Sequence, residues 1–222
     1  MDPSQAEGFV AKWRSRWPEW QIAAAFLPEP ARAPVAAWFA LLQELTDAAW
    51  GAPDPTPGLA KLAWWQEELQ GWSRGARRHP LGERLQRHPA PWLELGRALS
   101  ALPATRELGA SATLQALQAL GRAAAECELW LPHGEDAADG ETTAATLARC
   151  LTGERVLLAG QRSEALWLLQ QWPHPAGGPR ARRIHAALLR ARLRDLSSGR
   201  APRPLPAWRV LPLAWRSARG GA

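Results

Sequence analysis

Apolar residues recur at three- and four-residue steps along most of the chain, and no stretch alternates convincingly with a period of two. The spacing predicts helices over 4–16, 19–27, about 31–50 and 56–75. In the third, Val35, Trp38, Phe39, Leu42, Leu45 and Ala49 form the apolar stripe, and Pro34 fits the first turn. The fourth opens on Thr56 with Pro57 at its first helical position and carries Leu62, Trp65, Leu69 and Trp72 inward. Two short helices lie within "HPLGERLQRH" and "APWLELGRALSAL", split by Pro89 and Pro91. A longer one follows over 110–131, with Leu114, Leu117, Leu120, Ala124, Cys127 and Trp130 facing the core, and further helices cover 141–159, 162–172 and 180–196. "LPHGEDAADGE" and "PHPAGGP" read as loops. The expected fold is an all-α, single-domain helical bundle over 1–199, with a Pro/Arg/Trp-rich tail over 200–222 that alternates between coil and a short helix.

Composition sharpens this picture. The 222 residues suffice for a substantial core, and no apolar run reaches the ~20 residues a bilayer-spanning helix needs. The first residues, "MDPSQAEGFVAKW", lack the continuous apolar segment of a secretory signal, so the expected location is the cytoplasm. The net charge of +6 comes almost wholly from arginine, because Lys12 and Lys61 are the only lysines. Arginine suits phosphates, carboxylates and anionic surfaces. Its dispersal along this chain reads as a general solubilising cation, and no nucleic-acid-binding motif accompanies it. Fourteen tryptophans with no tyrosine point to a core anchored by indoles.

The usual catalytic sets are missing. His79, His88, His133, His174 and His185 mostly stand beside prolines in expected loops, with no helical i,i+4 partner for a metal site. Neither GxSxG, a Walker loop nor GxGxxG occurs. Cys127 and Cys150 lie on apolar helix faces, and no CxxC suggests a structural zinc. Glu67 and Glu68 follow two tryptophans and read as rim or exposed residues, with a pocket role for Glu68 as the alternative.

Two segments carry a family resemblance. "FLPEPARAPVAAWFALLQELTDAAW" and "KLAWWQEELQGWSRGARRHPLGERL", spanning Phe26 to about Leu85, resemble the first motif helix of squalene and phytoene synthases and the helix that follows it. The resemblance implies an isoprenoid-synthase fold, in which helices surround a deep pocket where active relatives condense two isoprenyl diphosphates. Ionising an allylic diphosphate requires magnesium held by carboxylates one helical turn apart, hence a DxxxD on each of two facing helices. In the family's register Thr46 and Trp50 occupy the two ligand positions of the first motif, and Asp47 falls between them. Gln43 and Gln66 stand where arginines are usual. "VLLAGQRSEALWLLQQW", at the place of the second motif, holds Glu164 as its only acid.

The expectation is therefore a catalytically degenerate member of that family, acting as a binding or assembly protein, with Trp50 filling the former pocket. Asp47 is the weak candidate for a metal, and Gln43, Glu44, Trp65 and Glu68 are the candidates for a residual pocket. Trp208, Arg209, Trp215 and Arg216 are the candidates for a protein interface. No cofactor is expected, magnesium entering only if catalysis is retained. One alternative is an active prenyltransferase binding isoprenyl diphosphates; the other is a basic surface docking on anionic membrane.

Overall fold

The computed structural model describes residues 3–131, 139–172, 176–201 and 203–220. Among these the secondary structure is entirely helical. The order is α1 (Pro3–Arg16), α2 (Trp20–Ala23) with a 3-10 turn (Ala24–Phe26), α3 (Glu29–Trp50), α4 (Thr56–Trp72), α5 (Gly82–Leu85), α6 (Trp92–Ala98) and α7 (Ala101–Ala104). There follow α8 (Ala110–Ala116), α9 (Gln118–Leu129), α10 (Gly140–Ala159), α11 (Arg162–Gln170), α12 (Arg180–Ser197) and α13 (Ala207–Ala218). His133 and His174 lie outside the described residues. No described helix is long and apolar enough to cross a membrane.

The centre of the domain is α3, buried on every side over residues 35–46. An apolar stripe alone suggests a helix with one wet face. Here α1, α4, α5 and α7 pack around it, so even Gln43, Glu44 and Thr46 are removed from water. Helix α3 also begins earlier than its stripe, at Glu29, which puts Pro34 inside the helix rather than in its first turn. Its missing N–H falls where burial of the following turns outweighs one absent hydrogen bond.

Gly58 sets the approach of α4. A Cβ there would run into the Ala48 carbonyl oxygen, so glycine lets the first turn of α4 press against the end of α3. Gly121 does the same for α9 against α10, where a Cβ would meet the Ala144 carbonyl oxygen at 2.9 Å.

Tryptophans fill the space between layers. Trp38, Trp65, Trp72 and Trp92 are fully buried, with Trp72 edge-on to Trp92 at 5.1 Å and to Trp65 at 6.3 Å. A second group joins Trp13 and Trp20 to Phe39 at 5.3 and 5.2 Å. At ~25 cal/mol per Å2 over ~150–250 Å2, each buried indole contributes roughly 4–6 kcal/mol before conformational entropy is charged against it.

The expected 110–131 helix is interrupted at Leu117, which separates α8 from α9. Because α9 stops at Leu129, Trp130 leaves the core face and is exposed, not inward. Helix α10 carries both end signals: the Asp139 side chain accepts from Thr142 N at 2.7 Å, and Gly160 ends it in the left-handed region at φ 64°. The 207–218 stretch is a regular helix packed on α12 and α2 through Val210 and Ala214.

Candidate functional site

The acids of α3 lie where three elements meet, and each carboxylate oxygen has a cation. Lys12 Nζ donates to Glu44 Oε1 at 2.6 Å and pairs with Asp47 Oδ2 at 2.9 Å. Lys61 Nζ donates to Glu44 Oε2 at 2.6 Å, and Arg16 Nη1 stands 2.8 Å from Asp47 Oδ1. Glu44 is buried, and burial alone would raise its carboxyl. Hydrogen bonds from Lys12 and Lys61 outweigh that and hold it below its ordinary value. The same two carboxylates raise Lys12 against the opposing effect of its own burial. Helix α1 supplies Lys12 and Arg16, and α4 supplies Lys61 through the approach Gly58 allows. Both lysines of the chain thus converge on one glutamate.

Three residues near these acids, Gln43, Thr46 and Trp50, take no part in the ion pairs. Thr46 turns its hydroxyl back to the Gln43 carbonyl of its own helix at 3.1 Å. Gln43 is buried, and its Oε1 has no partner among the described residues. Trp50 is only half-buried, and its indole donates to Thr105 Oγ1 at 3.0 Å. It ties the end of α3 to the end of α7 and packs, partly buried, against the edge of the core from the last turn. Arg106 reinforces that end by donating to the Ala52 and Pro53 carbonyls at 2.7 and 3.0 Å.

Glu67 is exposed as expected, but Glu68 is 1 % exposed. Its Oε1 accepts from Trp72 Nε1 at 2.8 Å and from the backbone N–H groups of Arg78 and His79, both at 2.7 Å; Oε2 accepts from Arg78 Nε at 3.0 Å. Four donors make it the fastening of the 73–79 loop. Burial would raise its carboxyl, yet the backbone bonds from His79 and Arg78 lead a set that lowers it. Trp65, wholly buried, lies 4.4 Å from the His79 ring.

His79, read from the sequence as a loop histidine beside a proline, is buried. Its Nδ1 accepts from Leu81 N at 3.2 Å, which places the proton of the neutral ring on Nε2. Phe9, Trp64 and Trp65 surround it, and burial pushes its pKa from 6.5 down to about 4 against the pull of Glu44 and Glu68. A histidine whose folded pKa lies under its unfolded one destabilises the fold once protonation begins. Stability is therefore expected to be complete above pH ~6.5 and to fall as the pH drops towards 4. Glu44 and Glu68, with lowered folded values, act in the same direction at lower pH. Urea midpoints measured between pH 7.5 and 4.5 are expected to decline, and less steeply in His79→Leu; an equal decline in that variant would remove His79 from the account.

A second buried polar group lies between α9, α10 and α12. Arg182 Nε donates to Glu128 Oε2 at 3.1 Å with both side chains 1 % exposed, and the guanidinium lies 4.7 Å from the centre of the Phe39 ring. His185 Nε2 meets Glu154 Oε1 at 2.8 Å and packs against Trp17 and Phe39. Cys150 is fully buried beside Arg182, and burial pushes its thiol up to about 12; Cys127 is raised further. Neither is a thiolate near neutral pH, so both act as core residues. A third carboxylate, Glu19, is also buried: it takes Arg192 Nε and Nη2 at 2.8 and 2.6 Å and Leu205 N at 2.8 Å, which ties the approach to α13 to α2 and α12. The only sequence sign of these pairs is charge at positions in step with apolar residues.

Of the interface candidates, Trp208, Trp215 and Arg216 are exposed, whereas Arg209 is engaged by Asp195 at 2.7 Å. Among the described residues no three His, Cys, Asp or Glu side chains group as a metal-binding set. The described residues form an all-helical single domain with a tryptophan-rich core. No family model, no curated protein and no solved structure matches the chain.

Proposed function

We propose that this chain is a squalene/phytoene-synthase-like helical protein in which prenyl-transfer chemistry has been given up, and that it works by binding or assembly. The observation that supports this reading is the full engagement of Glu44 and Asp47. All four carboxylate oxygens are held by Lys12, Lys61 and Arg16, so the acids at the end of α3 act as a brace between α1, α3 and α4. Three cations on two carboxylates leave the cluster one positive charge in excess, opposite in sign to the carboxylate surplus that gathers magnesium. Thr46 and Trp50, at the two ligand positions the resemblance assigns, spend their polar atoms on Gln43 and Thr105.

The brace is expected to be measurable. Lys61→Ala leaves a buried Glu44 oxygen short of its partner and should lower stability by about 2 kcal/mol, or roughly 4–8 °C in thermal midpoint. A change within about 0.5 kcal/mol would place the pair among inconsequential surface bridges. The functional reading is tested by titrating farnesyl or geranylgeranyl diphosphate with magnesium and by analysing products. Neither a coupled hydrocarbon nor magnesium-dependent binding is expected. Tight binding that needs magnesium and is lost in Asp47→Ala would overturn the reading.

A further inference from the structure

Helix α13 buries one face and leaves another bare. Val210 and Ala214 are fully buried, while Trp208, Leu211 and Trp215, at three- and four-residue steps, are 74, 48 and 48 % exposed on one side. The helix is held rigidly in that orientation. Arg183 donates to the Ser217 and Ala218 carbonyls at 3.0 and 3.3 Å, Arg209 is fixed by Asp195, and Leu205 N is bound by Glu19. The exposed indoles are therefore presented by the fold and do not belong to a loose end.

The segment that carries this ridge has charge of one sign. Residues 200–220 contain Arg200, Arg203, Arg209, Arg216 and Arg219 and no acid. Arg200 and Arg209 share Asp195, whereas Arg216 and Arg219 lie on the exposed side of α13, with Arg219 stacked 4.4 Å from the centre of the Trp215 ring. A second copy of this face would bring like charges together. Exposed indoles and a leucine flanked by arginines instead fit a surface that is apolar beneath and anionic above. Indoles and a leucine enter the boundary between headgroups and acyl chains, and arginines reach back to phosphates.

We propose that α13 docks on the surface of an anionic phospholipid bilayer, lying in its plane with Trp208, Leu211 and Trp215 inserted and Arg216 and Arg219 on headgroup phosphates. The proposal stands on α13 alone and is independent of any prenyl chemistry in the domain.

Flotation of the full chain with vesicles tests it. One set contains phosphatidylglycerol in phosphatidylcholine, the other phosphatidylcholine alone, at about 0.05 M and about 0.5 M salt. The chain is expected to float with the anionic vesicles at low salt and to be largely released at high salt. Arg216→Gln/Arg219→Gln should weaken binding roughly 25-fold, at about fivefold per arginine. Trp208→Ser/Trp215→Ser should weaken it about ten-fold or more with the thermal midpoint lowered by only a few degrees, since Trp208 is largely exposed and Trp215 about half so. Equal flotation with neutral vesicles would overturn the proposal. So would unaltered binding in the tryptophan variant, a dimer in light scattering that the tryptophan variant dissolves, or stronger binding to an oligo-dT than to the vesicles.

Discussion

Glu68→Ala is expected to lower the thermal midpoint by roughly 10–20 °C, the largest effect of any single carboxylate in this protein. Removing the side chain strands the backbone N–H groups of Arg78 and His79 and the indole N–H of Trp72, all of which now donate to Oε1. A buried donor left unpaired costs ~1–3 kcal/mol, so the buried His79 and Trp72 donors with the partly buried Arg78 amide amount to about 4–6 kcal/mol, and ~2–4 °C accompanies each kcal/mol in a domain of this size. Arg78, whose side chain is largely exposed, can turn to water and adds little. Glu68→Gln keeps one acceptor oxygen and should retain about half the stabilisation. Glu67→Ala, next along the helix and 71 % exposed at its side chain, is the control and should change stability by no more than ~0.5 kcal/mol. Calorimetry of the three variants decides the matter. A Glu68→Ala midpoint within a few degrees of the parent would mean that water enters the 73–79 loop and satisfies those donors.

The second large effect is a contrast between single and double replacement at Arg182 and Glu128. Removing either side chain takes away the 3.1 Å ion pair between two buried charges, and loss of ~3–5 kcal/mol is expected for Arg182→Met or Glu128→Leu. Removing both together should return most of that loss, because two apolar side chains of similar volume need no desolvation. In urea each single variant should shift the midpoint by about 1.5–2 M, and the double variant by far less than the sum. Part of the Arg182 loss belongs to its place over Phe39, at 4.7 Å, so Arg182→Met should be the costlier single change. Strict additivity across the cycle would show that the two side chains are held by other partners and not by each other.

Glu68 entered the sequence reading only as a rim residue or pocket candidate, and Arg182 and Glu128 did not enter it at all. Glu68 stands beside Glu67 in the same local pattern, yet one is sealed and the other wet. The difference arises because the chain turns back after α4 and brings the amides of Arg78 and His79 onto only one of the two positions. Arg182 and Glu128 are 54 residues apart, and nothing local to either marks them as partners. Lys12 and Lys61 did carry a signal: they are the only lysines among many arginines, and both reach Glu44.

Periodicity alone was enough for the helical class, for nearly every element boundary to within a few residues, and for the indole core, because apolar spacing and proline positions act over a single turn. Only the packed structure decided that α3 is buried on all sides, that Asp47 and Glu44 brace three helices, and that the last segment is a fixed helix with an uncovered tryptophan face. Those outcomes depend on which distant surfaces meet. Local spacing states that a face must be covered, and long-range packing alone determines what covers it.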